Sequence, residues 1–236
     1  MKKLPLIFGL FLLVFSCKKE VTLNFNEESI ITNEQADISI IYPKTSGDKT
    51  VSNRINETIE AYISNQINFN DSIKTETFKA TVEKFNTDYT RFKNEFLDED
   101  QKWIANIEGE IVLDTPELIC FGMSSYINTG GAHGNGRIDF LNFNPETGEL
   151  YTMIDLVDDL DGFKTLAETH FKTEIETDDT ADYFFGKDFQ LPESIGFNET
   201  GVIILYNTYE IAAYSEGVTE FTIPYEDANS YLKINL

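Results

Sequence analysis

The sequence predicts an α+β fold of two adjoining modules, each with helix packed on a mostly antiparallel sheet. Apolar residues spaced by three and four predict helices, and alternating apolar residues predict strands. The helical stretches are grouped apart from the strands, which is typical of α+β proteins. The chain has 236 residues, of which 41% are hydrophobic and 13% aromatic. A chain of this length and composition can bury a substantial core.

The predicted N-terminal module comprises residues 36–150. Five apolar residues that fall four apart, from Val51 to Ile67, predict a first helix, and a stripe of aromatic residues from Phe78 to Phe96 predicts a second. We interpret this stripe as core rather than as a cofactor site. Pro43 is expected to end the first strand. The predicted strands are residues 36–40, 103–113, 118–127 and 138–143, with a hairpin turn at 145–148.

The predicted C-terminal module comprises residues 151–236. Its amphipathic helix covers residues 160–175, and two strands at 194–197 and 201–206 flank a short hairpin connection. The continuous apolar run 202–205 predicts a strand that is covered on both faces. A last strand at 220–223 and a short closing helix at 225–233 complete the module.

The N-terminus has the pattern of a bacterial lipoprotein signal. Lys2 and Lys3 precede an apolar stretch that is shorter than the about 20 residues needed to span a bilayer. We therefore expect residues 1–16 to be a signal peptide, Cys17 to be lipidated, and residues 17–35 to be a polar tether. The alternative is an ordinary signal peptide in which Cys17 has no special role. Lipidation would place the protein on a membrane of the bacterial envelope, facing the periplasm or the cell surface.

The charge balance and the cysteines narrow the possible functions. A formal net charge of −23 argues against nucleic-acid binding, which needs clustered Lys and Arg. It favours either a cationic partner or simple solubility. Cys120, the other cysteine, lies in an apolar run and is expected to pack as a buried thiol. With Cys17 lipidated, no intramolecular disulfide is expected.

The segment Thr129–Gly136 contains four glycines in eight residues. It lacks the Gly-Lys-Ser/Thr of a phosphate loop, and it joins two predicted strands rather than a strand and a helix. It is therefore either a tight structural connection or a recognition loop. His133, within it, could act as a general base only with a partner that the sequence does not identify. His133 and His170 are too few for a zinc site of two or three histidines, and His170 is expected to be a packed or boundary residue.

The acidic segment from Asp155 to Asp161 resembles a calcium loop only superficially. Aligned with a twelve-residue loop, its first position would be Val157, which cannot coordinate an ion. Acidic residues also favour the start of the helix predicted from residue 160. We expect no metal, no cofactor and no enzymatic activity, although a hydrolase that uses His133 with a carboxylate is left open.

The residues from Tyr126 to Asn135, Tyr-Ile-Asn-Thr-Gly-Gly-Ala-His-Gly-Asn, resemble the glycine-histidine signature of a family of bacterial envelope domains. This family includes the extracellular part of RsiV-type anti-sigma factors and the N-terminal region of PdaC-type peptidoglycan deacetylases. The resemblance spans residues 36–230. Further matching pieces follow in the order of the family: Phe143 with Thr147-Gly148, Asp155-Leu156, Gly201-Val202 with Leu205-Tyr206, Tyr209–Tyr214 and Phe221–Tyr225.

The resemblance implies two modules that meet near residue 150 and a role in binding, because the RsiV-type ectodomain binds lysozyme. The resemblance does not extend to a sigma-binding segment, a transmembrane helix or a deacetylase domain. We therefore expect neither anti-sigma-factor activity nor deacetylase activity. Ala213 stands where the family commonly has proline. A basic protein such as lysozyme, or cell-wall material, is the expected ligand, and an accessory envelope lipoprotein without lysozyme affinity is the alternative. The expected contact residues are Thr129, Gly130, Gly131, Ala132, His133, Gly134, Asn135, Tyr209, Glu210 and Tyr214.

Overall fold

The computed structural model describes residues 21–68, 77–175 and 180–236. Within these ranges the chain forms two sheets and five α-helices, which confirms the predicted α+β fold. The strands are β1 Leu23–Thr32, β2 Asp37–Gly47, β3 Ile104–Asp114, β4 Ile119–Asn128, β5 Asn135–Phe143, β6 Ile195–Phe197, β7 Gly201–Tyr206 and β8 Thr219–Pro224. The helices are α1 Lys49–Ile67, α2 Phe78–Glu95, α3 Met153–Leu156, α4 Leu160–Glu174 and α5 Tyr225–Ala228.

The first sheet has the strand order β1-β2-β3-β4-β5 and is antiparallel except between β2 and β3. That pair is parallel because the chain between β2 and β3 returns through α1 and α2, as parallel strands require a crossover. Helix α1 begins after Asp48, whose carboxylate accepts hydrogen bonds from the amides of Thr50 and Val51. Its apolar residues, four apart, are buried against the sheet.

The aromatic stripe of α2 is core, as predicted. Phe85, Tyr89 and Phe92 each pack on the indole of Trp103, with ring centroids 5.4–5.9 Å apart. Phe96 differs from the prediction, because it caps the C-terminus of α2 and is 52% exposed.

Two predictions about the N-terminal region are wrong. Residues 23–32, expected to be part of the tether, form β1 and pair with residues 38–47 of β2. Strand β2 also continues through Pro43 to Gly47. Pairing between β2 and β3 ends at Ile41. Pro43 lies beyond this point, so its missing N–H interrupts no hydrogen bond between β2 and β3. The proline ring faces β3, with its Cδ 3.2 Å from the position that a Cβ on Gly109 would take.

The second sheet, β6-β7-β8, is antiparallel, and its central strand β7 is buried along its whole length. Helix α4 packs on it through buried Phe163, Ala167 and Phe171. Asp159, within the acidic segment discussed above, caps α4 by accepting a hydrogen bond from the Gly162 amide at 3.0 Å. This supports the interpretation of the acidic segment as a helix start.

The first sheet contributes to two hydrophobic cores. One of its faces packs with α1 and α2 in a core of the first module. On the other face, Cys120 and Phe140, together with Leu118 just before β4, pack with the apolar residues of β6, β7 and β8. Side-chain hydrogen bonds also join β5 to the second module: Asn142 Nδ2 donates to the Ile195 carbonyl at 2.8 Å. The predicted boundary near residue 150 falls between β5 and α3, where the chain turns without a break in packing.

The Cys120 thiol is buried, and its sulfur accepts a hydrogen bond from the Phe197 amide at 3.4 Å. Burial raises the pKa of this thiol to about 12, so the thiolate is scarce at neutral pH. In a Cys17→Ser variant, which leaves a single thiol, we expect a thiol-specific reagent at pH 8 to label Cys120 only after denaturation. Rapid labelling of the native protein, followed by mass spectrometry, would contradict this assignment.

None of the helices in the described ranges has the length and apolar character needed to cross a membrane. The predicted signal peptide, Cys17 and the first residues of the predicted tether lie outside the described residues.

Candidate functional site: an aromatic loop surface

The two loops selected from the sequence lie side by side. One connects β4 to β5 and carries His133, and the other connects β7 to β8 and carries Tyr209 and Tyr214. The imidazole of His133 stacks on Tyr214, with centroids 4.6 Å apart and planes at 24°. The rings of Tyr209 and Tyr214 are 5.4 Å apart. We call these three residues the aromatic cluster.

The aromatic cluster faces solvent. Tyr209 is 54% exposed, Tyr214 is 46% exposed, and His133 is also exposed. Exposed tyrosines held against one another present rigid, amphipathic area that loses little conformational entropy on binding. Such rings are common anchors of protein interfaces. The cluster therefore has the composition of a recognition surface.

The glycine-rich loop is held at its start by Asn128. Its Oδ1 accepts hydrogen bonds from the Gly130 amide at 3.0 Å and from Gln101 Nε2 at 3.1 Å. Gly130 and Gly131 have φ values of +101° and +95°, which side chains rarely tolerate, although no atom lies within 4 Å of a Cβ placed on either residue. The backbone conformation, rather than lack of space, requires glycine at both positions.

Tyr126 is a surface residue that the sequence-based site omitted. A Cβ on Gly134 would lie 2.5 Å from Tyr126 Cζ, so the loop packs directly on this ring. The ring is 40% exposed and lies at the end of β4 beside the loop. Its place in the Tyr126–Asn135 motif was the available signal, and the structure shows why the motif contains both an aromatic ring and a closely packed glycine.

The second loop begins with a tight turn from Asn207 to Glu210. The Glu210 amide donates to the Asn207 carbonyl at 3.0 Å, and Glu210 Oε2 accepts from the Asn207 amide at 2.8 Å. Tyr209, inside this turn, has a φ of +68°, an uncommon conformation for a tyrosine. The Glu210 carboxylate is thus engaged within its own loop, where it shapes the turn that presents Tyr209.

His133 makes its side-chain hydrogen bond within its own loop. Its Nδ1 donates to the carbonyl of the next residue, Gly134, at 2.8 Å, and no carboxylate partner is found for it among the described residues. His170 lies elsewhere, half-buried on α4, with Nε2 3.3 Å from Asp227 Oδ2, in agreement with its prediction as a boundary residue. In the part of the chain that the structure describes, no group of three or more His, Cys, Asp or Glu side chains could hold a metal ion.

A charged network lies near the glycine-rich loop, on β5. Arg137 Nε binds the Asp139 carboxylate at 2.7 Å, and its Nη2 binds Glu193 at 2.6 Å. The Tyr62 hydroxyl donates to Asp139 at 2.8 Å, and burial together with the negative charge of Asp139 raises the tyrosine pKa. The charged groups of this network are paired with one another, so they do not present an unpaired charge to a ligand. The network instead links α1, β5 and the segment before β6.

Comparison with known proteins also divides the chain into two regions, with residues 137–154 between them. Residues 30–136 match the family model described as Deacetylase PdaC, and residues 155–226 match the one described as Protein of unknown function (DUF3298). These matches support a two-module PdaC/DUF3298 domain of the envelope type. The aromatic cluster draws His133 from the first matched region and both tyrosines from the second.

Solved structures support the same fold. A DUF3298 family member from Bacteroides fragilis is similar with a TM-score of 0.69 and 18% identity, and a DUF3298 family protein from Pseudomonas aeruginosa is similar with a TM-score of 0.61 and 18% identity. Each comparison covers 91% of this chain and 95% of the other. Among curated proteins, no relative matches the chain significantly.

Proposed function

We propose that this chain is a non-catalytic binding module of the bacterial envelope, anchored by a lipid on Cys17, that captures a basic, lysozyme-like protein at the aromatic cluster. The observation that carries the proposal is the stacking of His133, Tyr209 and Tyr214. Rings from two distant segments of the chain are held together and exposed, at a backbone cost for Tyr209. Strain at an exposed position is consistent with a functional demand on that residue.

Charge complementarity supports a basic partner. The chain carries a net charge of −23, and no Lys or Arg occurs from Asn207 to Glu220, whereas Glu210, Glu216 and Glu220 do. Such a field would accelerate the approach of a positively charged protein, and the aromatic cluster would supply the short-range contacts. The family resemblance points to the same partner class, since RsiV-type ectodomains bind lysozyme.

No catalytic step is part of the proposal. His133 Nδ1 donates to a loop carbonyl, and the imidazole lies flat on Tyr214, an arrangement suited to contact area. The family model that matches residues 30–136 is named for a deacetylase. We propose no deacetylation by this chain, only an association with the cell wall. An accessory lipoprotein without such affinity is the competing hypothesis.

The decisive experiment is calorimetric titration of the purified full-length chain with a basic lysozyme. We expect saturable one-to-one binding that persists at about 0.15 M salt, where charges are screened beyond about 8 Å. The variants Tyr214→Ala and Ala132→Trp should each weaken binding by about tenfold or more, by removing a ring or blocking the surface. Ala132 is preferable to Gly131 as the blocking position, because Gly131 has a positive φ.

Ile154→Ala serves as the matched control, since Ile154 is 66% exposed but lies on α3, away from both loops. Its affinity should equal that of the unaltered chain. Heat that disappears with salt would favour the accessory lipoprotein, whereas equal binding by all variants would reject the aromatic cluster as the binding site. Binding of cell-wall fragments without binding of lysozyme would reject the protein partner.

A further inference from the structure

A second candidate site lies between the two sheets, separate from the aromatic cluster. Here one face of β3, β4 and β5 meets one face of β7 and β8 across a groove of about 610 Å³. Pockets of about 300–1,000 Å³ accommodate small ligands or a few side chains of a partner. We call this space the inter-sheet groove.

The floor of the inter-sheet groove is apolar. Phe140, Ile203 and Leu205 form its deep part and are 8%, 6% and 3% exposed, respectively. Val112 and Ile138 continue it as half-buried residues. Gly122 keeps the groove open, because it has no side chain to fill it, and a Cβ there would lie 3.0 Å from Val112 Cγ2.

The walls carry negative charge on both sides. Glu108 and Glu110 project from the same face of β3, two residues apart and therefore about 7 Å from each other. Glu220 stands across the groove on β8, next to Leu205 on the neighbouring strand. All three are exposed, and within the described residues none has a cationic partner.

We propose that the inter-sheet groove binds an extended, basic peptide segment of a partner protein, with apolar side chains on the floor and Lys or Arg side chains between Glu108, Glu110 and Glu220. Carboxylates on both walls suit an occupant with more than one cation. The apolar floor distinguishes this occupant from a simple polycation, which would gain nothing from Phe140 or Leu205. An extended strand fits because alternate side chains point to opposite faces, so leucines can contact the floor while lysines stay at the rim.

This inference goes beyond the proposed function, because it concerns a different surface. The groove is lined by residues of β2, β3, β4, β5, β7 and β8, whereas the aromatic cluster lies on the loops that follow β4 and β7. A groove-binding segment could belong to the protein captured by the loops or to another one. The two sites can therefore be tested independently.

The test is fluorescence anisotropy with the full-length chain at 0.15 M salt. The probe is a labelled, end-blocked hexapeptide of alternating Lys and Leu. Peptides in which Glu replaces Lys, or Ser replaces Leu, are the controls for charge and for apolar contact. We expect saturable binding of the Lys-Leu peptide, and binding at least tenfold weaker for both control peptides.

The matching protein variant changes Glu108, Glu110 and Glu220 to Gln. Exposed ion pairs contribute a factor of about 1.4–5 each, so we expect about tenfold weaker binding of the Lys-Leu peptide. The matched control changes Glu57 and Glu117, exposed residues outside the groove, to Gln and should alter the affinity less than twofold. Ser124→Trp, which places a ring in the groove from an exposed position, should abolish binding.

Three results would overturn the proposal. They are equal affinity for the Lys-Ser and Lys-Leu peptides, unchanged affinity after the triple Gln substitution, and full binding by the Ser124→Trp variant. Ala132→Trp in the glycine-rich loop should leave peptide binding unchanged. A protein that binds lysozyme but not the peptide, or the reverse, would therefore separate the two proposals.

Discussion

Replacing Phe171 with alanine is expected to lower the free energy of unfolding by about 3–5 kcal/mol, the usual cost of removing a large buried aromatic side chain. Phe171 is 2% exposed and lies at the centre of the second module's core. Its ring contacts five other aromatic rings, with centroid distances of 5.3–6.4 Å, and they belong to Tyr183, Phe184, Phe189, Tyr206 and Phe221. Because these rings are closely packed, the core can collapse only slightly around the cavity that the substitution leaves.

Urea denaturation followed by circular dichroism would measure the loss. Thr169→Ala, a deletion at an exposed position on the same helix, is the control and should change the stability by less than about 0.5 kcal/mol. A loss below about 1 kcal/mol for Phe171→Ala would mean that these rings are not packed as a single core. Because Cys120 and Phe140 of the first sheet belong to this core, we expect one cooperative transition rather than two.

Replacing Asn207 with alanine is expected to cost about 2–4 kcal/mol, because two backbone groups lose their partner at the module junction. Asn207 Oδ1 accepts from the Ile138 amide at 2.7 Å, and its Nδ2 donates to the Ile138 carbonyl at 2.9 Å. Strand β5 is an edge strand, so the Asn207 side chain here takes the place of a neighbouring strand. Asn207 itself is 8% exposed, which limits replacement of both bonds by water.

Amide hydrogen exchange would measure the local effect of this substitution separately from its effect on global stability. The Ile138 amide should exchange faster in the Asn207→Ala variant. The exchange rates of amides at the centre of α1 should rise only by the amount that the loss of global stability explains. Asn106→Ala, at an exposed position on β3, removes the same side chain without a comparable contact and should have little effect. Similar behaviour of the two variants would rule out the proposed role of Asn207.

Local pattern was sufficient to predict most of the elements. Helix α1 followed from isoleucines four residues apart, and β7 from a continuous apolar run, because both patterns directly reflect what each element buries. Strand β1 was missed for a physical reason. Its partly buried positions are Leu23 and Phe25 at one end but Glu28 and Ile30 at the other, so the alternation changes phase and the pattern resembles a polar linker.

The candidate site was only partly predictable. Both loops were selected from residue types and family resemblance, but nothing local showed that His133 and Tyr214, 81 positions apart, would stack. Asn207 was not singled out from the sequence, although its side chain binds the edge strand β5. Glu108 and Glu110 looked like the solvent face of a strand until β8 placed Glu220 opposite them.

The sequence alone determined α1, α2, α4 and most strands, and the apolar setting of Cys120, since each depends on neighbouring residues. The acidic charge follows from composition. Only the tertiary structure decided that one face of the first sheet joins the core of the second module, that two loops form one aromatic cluster, and that a groove with acidic walls lies between the sheets. These features arise from contacts between residues far apart in the chain. Their geometry is set by how one sheet packs on the other, which no local pattern encodes.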